Sequence, residues 1–315
     1  MALDGLRVLF MGTPDFAVPT LAGIVDAGCD VVGVVSQPDR PKGRGRQVSA
    51  TPVAHFARAR GLPVYQWPRL NQSSYETVRQ LEPDVTVVIA YGKILPQRYL
   101  DLPKFGCLNV HASLLPRLRG AAPIQWAVIR GHRQTGITIM RMDAGMDTGD
   151  IGVQLETDIG PHETAGELHD RLASLGATAL VQALDLLVAA RLEFRGQRHD
   201  AATMAPRLSK SDGLLDWTQS AQVIHDHVRG MSPWPGAYVP GPDGAWKIHE
   251  VRVRDVSGEP GDVVQITDDG PVVGCGTGSV LVTRLQRPGR RPVAGADFLR
   301  GTQVDIGCPL VGRPS

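Results

Sequence analysis

The stretch VTVVIA at residues 85–90 is an uncharged run of β-branched and apolar residues. Two similar runs precede it, VLFM at 8–11 and VVGVV at 31–35. Unbroken runs of this length are typical of parallel strands that are buried on both faces of a sheet. Two later segments, CLNVH at 107–111 and ITIMRM at 137–142, also have the composition of strands.

Helical patterns alternate with these strands. They cover residues 19–27, 52–60 and 74–81, and the first two begin with proline, which is favoured at the first position of a helix. A longer helical pattern at 163–190 is expected to break or bend near Gly176 and to close the domain. Alternation of strands and helices predicts βαβ units, and therefore an α/β fold with an open, doubly wound sheet.

The sequence changes character after residue 190. Residues 191–206 (RLEFRGQRHDAATMAP) have the composition of a linker, with a local excess of basic residues. Beyond residue 207, short apolar runs are separated by Gly, Pro and Asp turns, at 246–253, 261–266, 272–274 and 280–285. This pattern predicts a small antiparallel β barrel or sandwich, for which an OB-like barrel is one candidate.

Composition limits the possible partners. The 315 residues include 33 Lys+Arg and 32 Asp+Glu, so binding of a nucleic acid requires a local basic patch. The four cysteines are far apart and form no CxxC pair, which indicates reduced thiols and a cytoplasmic location. We find no secretory signal and no run of 18 uncharged apolar residues, so we expect no membrane partner.

The polar ends of the predicted strands are the first candidates for a site, because ligands of such sheets bind at the carboxyl ends of strands. Asn109 and His111 are separated by one residue, so their side chains point to the same face of a strand. They could serve one reacting carbonyl, or they could be a polar strand end that is satisfied by loop backbone. The first turn, GTPDFA at 12–17, lacks the GxGxxG pattern and argues against a dinucleotide.

An acidic, glycine-rich loop, MDAGMDTGD, occupies residues 142–150. It could be a plain turn or an opportunistic cation site. Its spacing does not match an EF-hand, and the chain contains neither HExxH nor GxSxG. We therefore expect no metal.

Several ordered segments resemble the folate-dependent formyltransferase family. NVHASLLP at 109–116, continued by RLRGAAPIQ, and MDAGMDTGDI at 142–151 resemble the signature of that family. The resemblance spans nearly the whole chain and is closest to the members that formylate methionyl-tRNA. Its other segments are GTPDFAVPTL (12–21), SQPDRPKGRGR (36–46), VVIAYGKILP (87–96), RLSKSDGLLDW (207–217) and PWPGA (233–237).

The resemblance implies a domain plan and a reaction. A Rossmann-like catalytic domain is expected at 1–190, a linker at 191–206 and an OB-like tRNA-binding domain at 207–315. The reaction is transfer of the formyl group from 10-formyltetrahydrofolate to the α-amino group of initiator methionyl-tRNA, with release of tetrahydrofolate. The family also suggests a monomer.

The resemblance also assigns residues. Asn109, His111 and Asp147 fall on the positions of the catalytic residues of the family. Ser113, Leu114, Leu115 and Pro116 are expected to line the folate pocket, and by resemblance the Leu115–Pro116 bond should be cis. Ala112 and Leu118 differ from the glycine and the aromatic residue that are common in relatives.

The implied chemistry needs neither a metal nor a covalent nucleophile. A free α-amino group titrates at about 7.7–8.0, so it attacks at neutral pH without a strong base. Negative charge then develops on the formyl oxygen, and Asn109 and His111 could donate hydrogen bonds to it. Asp147 could orient His111, favour its protonated form and accept the amine proton.

Basic residues in the 36–46 loop are expected to bind tRNA phosphates. They are Arg40, Lys42, Arg44 and Arg46, with Arg44 foremost by resemblance; a solvated basic loop is the alternative. This loop also separates the prediction from a nucleotide-sugar amine formyltransferase, which shares the NxH and PWPGA motifs. A folate- or RNA-binding module without turnover is the remaining alternative, against which the intact Asn109, His111 and Asp147 argue.

Overall fold

The protein is described here by a computed structural model, which covers residues 3–42 and 47–311. The elements of the first half are β1 (Arg7–Gly12), α1 (Val18–Asp26), β2 (Asp30–Val35), β3 (Arg40–Lys42), β4 (Gln47–Ser49), α2 (Pro52–Ala59), β5 (Val64–Tyr65), α3 (Gln72–Gln80), β6 (Val85–Ile89), α4 (Gln97–Leu100), β7 (Cys107–His111), α5 (Pro123–Ile129), β8 (Gln134–Arg141), β9 (Ile151–Asp158) and α6 (Ala165–Val188). Those of the second half are α7 (Ala221–Gly230), β10 (Ala237–Gly241), β11 (Gly244–Arg254), β12 (Val263–Thr267), β13 (Gly270–Gly274), β14 (Ser279–Gln286), β15 (Val293–Ala294) and α8 (Gly295–Arg300).

A seven-stranded sheet with the order β5-β2-β1-β6-β7-β8-β9 organises the first half. The five strands from β5 to β7 are parallel, as the buried apolar runs predict. β8 is antiparallel to β7, so the sheet is mixed rather than wholly parallel. The antiparallel register places Thr138 directly opposite His111. The apolar composition of β8 is that of a buried strand of either direction, which is why the sequence did not reveal its orientation.

α6 is one continuous helix through Gly176, so the break that the sequence suggested there is wrong. Close packing on the sheet explains why residue 176 is glycine. A Cβ at this position would lie 3.1 Å from Val110 Cγ1 on β7, which is closer than most such contacts. Small side chains let the helix pack tightly on the sheet.

By length and composition, α6 is also apolar enough to span a membrane, with a mean hydropathy of 1.4 in its most apolar window. α6 nevertheless contains the charged residues Glu167, Asp170, Arg171 and Asp185, so the expectation that no run of 18 uncharged apolar residues occurs holds for this helix. Its buried residues recur at helical spacing, whereas Ser174, Thr178, Gln182 and Asp185 are exposed. This one-sided burial is the pattern of a core helix packed on a sheet.

A separate antiparallel sheet with the order β10-β11-β14-β13-β12 forms the second half, with β15 beside β14. α7 packs on β11, and its buried face joins a core that contains Trp246 and Phe298. The predicted strands of this half are all present, and the GCGTG segment at 274–278 is the turn between β13 and β14, as expected.

The two compact units are not contiguous in sequence. The first comprises residues 1–121, 135–158 and 169–205, and the second comprises 122–134, 159–168 and 206–315. α5 therefore belongs to the second unit, where Trp126 and Ile129 pack against its core and α5 contacts α7. Most of the predicted linker belongs to the first unit. The functional boundaries at 190 and 207 stay a prediction.

Candidate active site

β7 lies at the centre of the site, between β6 and β8. Asn109 pairs with Val88 on one side and Met140 on the other, and His111 stands two residues further along the same strand. Their side chains therefore share one face of the sheet. His111 is 5% exposed. Among residues 3–42 and 47–311, the half-buried side chain of Asn109 makes no hydrogen bond, so its amide is available to a bound molecule.

The two nitrogens of His111 have different surroundings. Nε2 lies 3.0 Å from the backbone oxygen of Leu118. A carbonyl oxygen only accepts, so Nε2 carries the proton and donates it. Nδ1 is left facing Asp147, whose Oδ2 lies 3.6 Å away. That distance is longer than a direct hydrogen bond, so the carboxylate does not occupy Nδ1.

Asp147 is held in place by backbone on the opposite side of the site. Its Oδ2 accepts a hydrogen bond from Gly120 N at 2.8 Å. Gly120 has φ +120°, and a Cβ there would lie 2.7 Å from Ala205 O, so only glycine fits. Asp147 itself has φ +54°, a conformation that aspartate tolerates better than most residues and that costs some strain.

The rest of the acidic loop is built from its own side chains. Asp143 Oδ1 accepts hydrogen bonds from Gly145 N at 3.0 Å and from Thr148 Oγ1 at 2.7 Å. Asp150 pairs with Arg141 at the end of β8, at a distance of 2.9 Å. In the described part of the chain, no group of three or more His, Cys, Asp and Glu side chains is arranged to hold a metal ion.

The segment expected to bind folate is fixed from behind by Thr138. Its hydroxyl donates to Ser113 O at 2.6 Å and accepts from Leu115 N at 3.1 Å. Gln154 Nε2 donates to Leu115 O at 2.9 Å and to Thr138 Oγ1 at 3.0 Å. The Leu115–Pro116 bond is cis, as predicted.

The four residues of this segment are not equivalent. Ser113 is fully buried and donates to Arg117 O at 2.6 Å, and Leu115 packs with Met140 and Ile151. Leu114 and Pro116 are half-buried. Only these two apolar side chains of the segment therefore present free surface, and the other two hold the backbone in shape. Its role in folate binding stays a prediction.

The basic loop is only partly described. Arg40 is exposed at the start of β3, Lys42 is placed by its backbone at the end of β3, and Arg44 and Arg46 lie outside the described residues. Asp39 anchors the near end of the loop: its Oδ1 accepts from Gln66 Nε2 at 2.6 Å, which with other hydrogen bonds lowers the pKa of this carboxyl. The interpretation of this loop as a tRNA contact stays a prediction.

A second basic residue lies close to Arg40. Burial and the neighbouring charge of Arg40 lower the pKa of Lys93. Lys93 Nζ donates to the backbone oxygens of Trp67 at 2.6 Å and Pro68 at 2.8 Å. Positive charge on this side of the first unit is therefore not confined to the loop.

Sequence reasoning missed several residues that hold the site together. Thr138 is a polar residue between Ile137 and Ile139 on β8, and this position is a signal that could have identified it. Gln154 and Gly120 carry no comparable signal. Gln197 lies in the predicted linker, yet it donates to the backbone of the Asp147 loop.

The family of the chain follows from its sequence. Residues 6–184 match the Formyl transferase family, and residues 207–303 match the family described as Formyl transferase, C-terminal domain. The chain belongs to the formyl transferase family.

The relatives include named members of one branch. The methionyl-tRNA formyltransferase of Geobacter sulfurreducens is 47% identical over 309 residues, which cover 98% of each chain. That of Geobacter metallireducens is 48% identical, over 98% of this chain and 99% of its own.

A solved structure shares the fold at much lower identity. The sugar 3N-formyl transferase WlaRD, determined with dTDP and 5-N-formyl-THF, superposes with a TM-score of 0.68 at 15% identity. The match covers 91% of this chain and 99% of that one. It supports the mixed α/β fold and carries no information on the substrate of this chain.

Proposed function

We propose that this protein transfers the formyl group of 10-formyltetrahydrofolate to the α-amino group of initiator methionyl-tRNA, giving N-formylmethionyl-tRNA for translation initiation. The observation that carries the proposal is the pair of buried His111 and half-buried Asp147 beside the unpaired amide of Asn109. This arrangement occurs in a chain that is 47% identical over nearly its whole length to a methionyl-tRNA formyltransferase.

Asn109 and His111 act on the formyl oxygen. The Asn109 amide can donate to an oxygen on which negative charge develops, and a fixed donor in a buried site stabilises such charge strongly. His111 Nε2–H is engaged by Leu118 O, so the exchangeable position is Nδ1. His111 can therefore donate to the formyl oxygen through Nδ1 when the ring carries a second proton, because the carboxylate 3.6 Å away makes no direct hydrogen bond there.

Asp147 then serves as the proton acceptor. The attacking amine must lose a proton as its new bond to the formyl carbon forms, and the carboxylate of Asp147 can take it directly or through His111. The same proton can pass to the folate nitrogen as its bond to the formyl carbon breaks and tetrahydrofolate leaves. Its Gly120 N–H contact holds the carboxylate in one orientation while leaving the other oxygen, Oδ1, for this task. When bound, the folate supplies an activated formyl group.

The proposed folate site uses the segment 113–116. Half-buried Leu114 and Pro116 offer an apolar surface for a flat ring, and Ser113 and Leu115 maintain the backbone beneath it. The fit of the folate to this site rests on two features, the unpaired amide of Asn109 and the apolar surface of Leu114 and Pro116.

The tRNA is proposed to contact Arg40, Lys42, Arg44 and Arg46. In this proposal residues 1–190 carry catalysis, 191–206 connect the domains, and 207–315 form an OB-like domain that adds RNA contacts. The protein would act as a cytoplasmic monomer without a metal ion and without a membrane.

The experiment is to incubate the purified protein with 10-formyltetrahydrofolate and initiator methionyl-tRNA and to measure N-formylmethionine after mild deacylation. Parallel reactions contain uncharged tRNA or a dTDP-linked amino sugar as acceptor, and His111→Ala serves as the inactive control. Formylation of the amino sugar alone would contradict the proposal and favour the nucleotide-sugar reaction. Folate binding without any product would favour a binding module.

A further inference from the structure

Gln197 is almost completely buried, at 8% exposure, although it lies in a segment with the composition of a linker. Its side chain uses every donor and acceptor it has. Oε1 accepts from Arg119 Nε at 3.1 Å and Nη2 at 2.7 Å. Nε2 donates to the backbone oxygens of Asp147 at 2.9 Å and Gly149 at 2.7 Å.

These four bonds connect the two segments that hold the His111–Asp147 pair. Arg119 stands between Leu118, whose oxygen binds His111 Nε2, and Gly120, whose N–H binds Asp147 Oδ2. On the other side, Gln197 holds the carbonyl of Asp147 itself. The side-chain amide of Gln197 therefore connects the backbone that contacts His111 with the backbone that carries Asp147.

Neighbouring backbone strengthens the connection on the Arg119 side. Arg119 N donates to Thr203 O at 2.8 Å, and Ala205 N donates to Arg119 O at 2.7 Å. Leu118, which has φ +61°, donates its N–H to Thr203 Oγ1 at 2.9 Å. The segment after residue 195 is thus bonded to the support of His111, and Gln197 extends the same attachment to Asp147.

We infer that Gln197 is a positioning residue for formyl transfer, which sets the separation and orientation of His111 and Asp147. The inference rests on the proposed function. An amide is required because the site needs an acceptor for the Arg119 guanidinium and a donor pair for two carbonyls. Errors of about 1 Å in the placement of reacting groups can cost about 100-fold in rate, so the effect should fall on catalysis.

Gln197→Glu is the sharpest variant because glutamate has nearly the same shape. Its carboxylate still accepts from Arg119, but it presents an acceptor where two carbonyl oxygens need donors, so the Asp147 loop must move. We expect kcat to fall 10- to 100-fold, with KM for folate and tRNA within about twofold of the wild-type values.

Gln154→Ala is the matched control, since Gln154 also donates to site backbone, but at Leu115 in the proposed folate segment. It should raise KM for the folate and change kcat little. A Gln197→Glu enzyme with wild-type kcat would overturn the inference, and so would equal changes in kcat and both KM values, which indicate general loosening.

A double-mutant cycle and a substrate-free readout complete the test. In a His111→Ala background, Gln197→Glu should reduce the residual rate by less than threefold, because the pair it positions is already broken. In the substrate-free protein, a crystal structure of Gln197→Glu should show a His111 Nδ1–Asp147 Oδ2 separation that differs from 3.6 Å, and an unchanged separation would overturn the inference. This measurement needs no turnover, so it separates failure of the inference from failure of the proposed reaction.

Discussion

The segment 113–116 follows directly after His111, the last residue of β7, yet this segment and the His111–Asp147 pair use polar groups in opposite ways. In the segment, the Ser113 hydroxyl and the Leu115 N–H are consumed by bonds within the protein. In the pair, Nδ1 and the carboxylate stand 3.6 Å apart without a direct hydrogen bond, and the amide of nearby Asn109 is unpaired within the described residues. A binding surface is therefore made rigid by satisfied polar groups, whereas a reacting site keeps some of them available.

The largest effect is expected at the pair. His111→Ala and Asp147→Ala should each lower kcat by at least about 100-fold, because each removes a group placed for proton transfer or charge stabilisation. The double variant should lose less than the product of the single losses, since the two groups act on one step. Steady-state kinetics at saturating substrates measure this. A double variant that shows the full product would contradict a coupled pair.

The second-largest loss of kcat is expected when the unpaired amide of Asn109 is removed. Asn109→Ala should lower kcat by about 100-fold, the typical cost of one donor to a developing oxyanion. Asn109→Asp keeps the size but removes the NH₂ donor and adds charge, so it should be at least as damaging. Folate binding measured by fluorescence should stay within a few-fold in both variants. Loss of binding in parallel with kcat would instead place Asn109 in the binding surface.

Thr138→Val tests the rigid segment. It removes the hydroxyl that bonds to Ser113 O and Leu115 N, and a buried group left unpaired costs about 1–3 kcal/mol. We expect a lower free energy of unfolding and a KM for folate raised about 10-fold, with kcat little changed.

Thr135→Val on the same strand is the control for Thr138→Val. Thr135 is also buried, and its hydroxyl has no hydrogen-bond partner among the described residues. The same substitution there should leave stability and KM nearly unchanged. Equal effects of the two variants would show that the bonds of Thr138 are not what shapes the segment.

The basic loop should give a smaller, salt-dependent effect. Arg40→Ala, and Lys42→Ala combined with Arg44→Ala, should weaken tRNA use and spare folate kinetics. Each lost phosphate contact should reduce the salt slope of tRNA binding by about 0.7–0.9. Exposed Lys104→Ala removes the same charge elsewhere and is the control. Unchanged tRNA kinetics at two salt concentrations would make the loop a solvated surface.

The smallest effect concerns a fully satisfied carboxylate in the second unit. Burial alone would raise the pKa of Asp226, but hydrogen bonds from His225, Gln222 and Arg229 outweigh it and lower the pKa. A lowered folded pKa contributes stability above the unfolded value of about 3.9, and this is lost as the pH falls through the folded pKa. Asp226→Asn should therefore flatten the decline of the unfolding midpoint below about pH 4. Asp268→Asn, at an exposed position, should leave this pH dependence unchanged. If the two variants gave the same curve of unfolding midpoint against pH, the lowered pKa of Asp226 would be contradicted.

The sequence predicts the parallel part of the fold well because strands buried on both faces leave unbroken apolar runs. It does not reveal that β8 is antiparallel, since a buried strand has the same composition in either direction. Asn109 and His111 are identified from spacing on one strand, and Asp147 only from family resemblance. Gln197 could not be found at all, because a buried amide that bonds to backbone leaves no periodic pattern in a polar segment.

The assignment of α5 to the second unit has a consequence for how the protein is made. Trp126 and Ile129 pack against a core that is completed by α7, about a hundred residues further along the chain. At a synthesis rate of about 5–20 residues per second, this face waits roughly 5–20 s for its partner. During that interval the nascent chain carries an uncovered apolar helix between two strands of a sheet that can already form. A fragment that begins at residue 207 would lack α5 altogether.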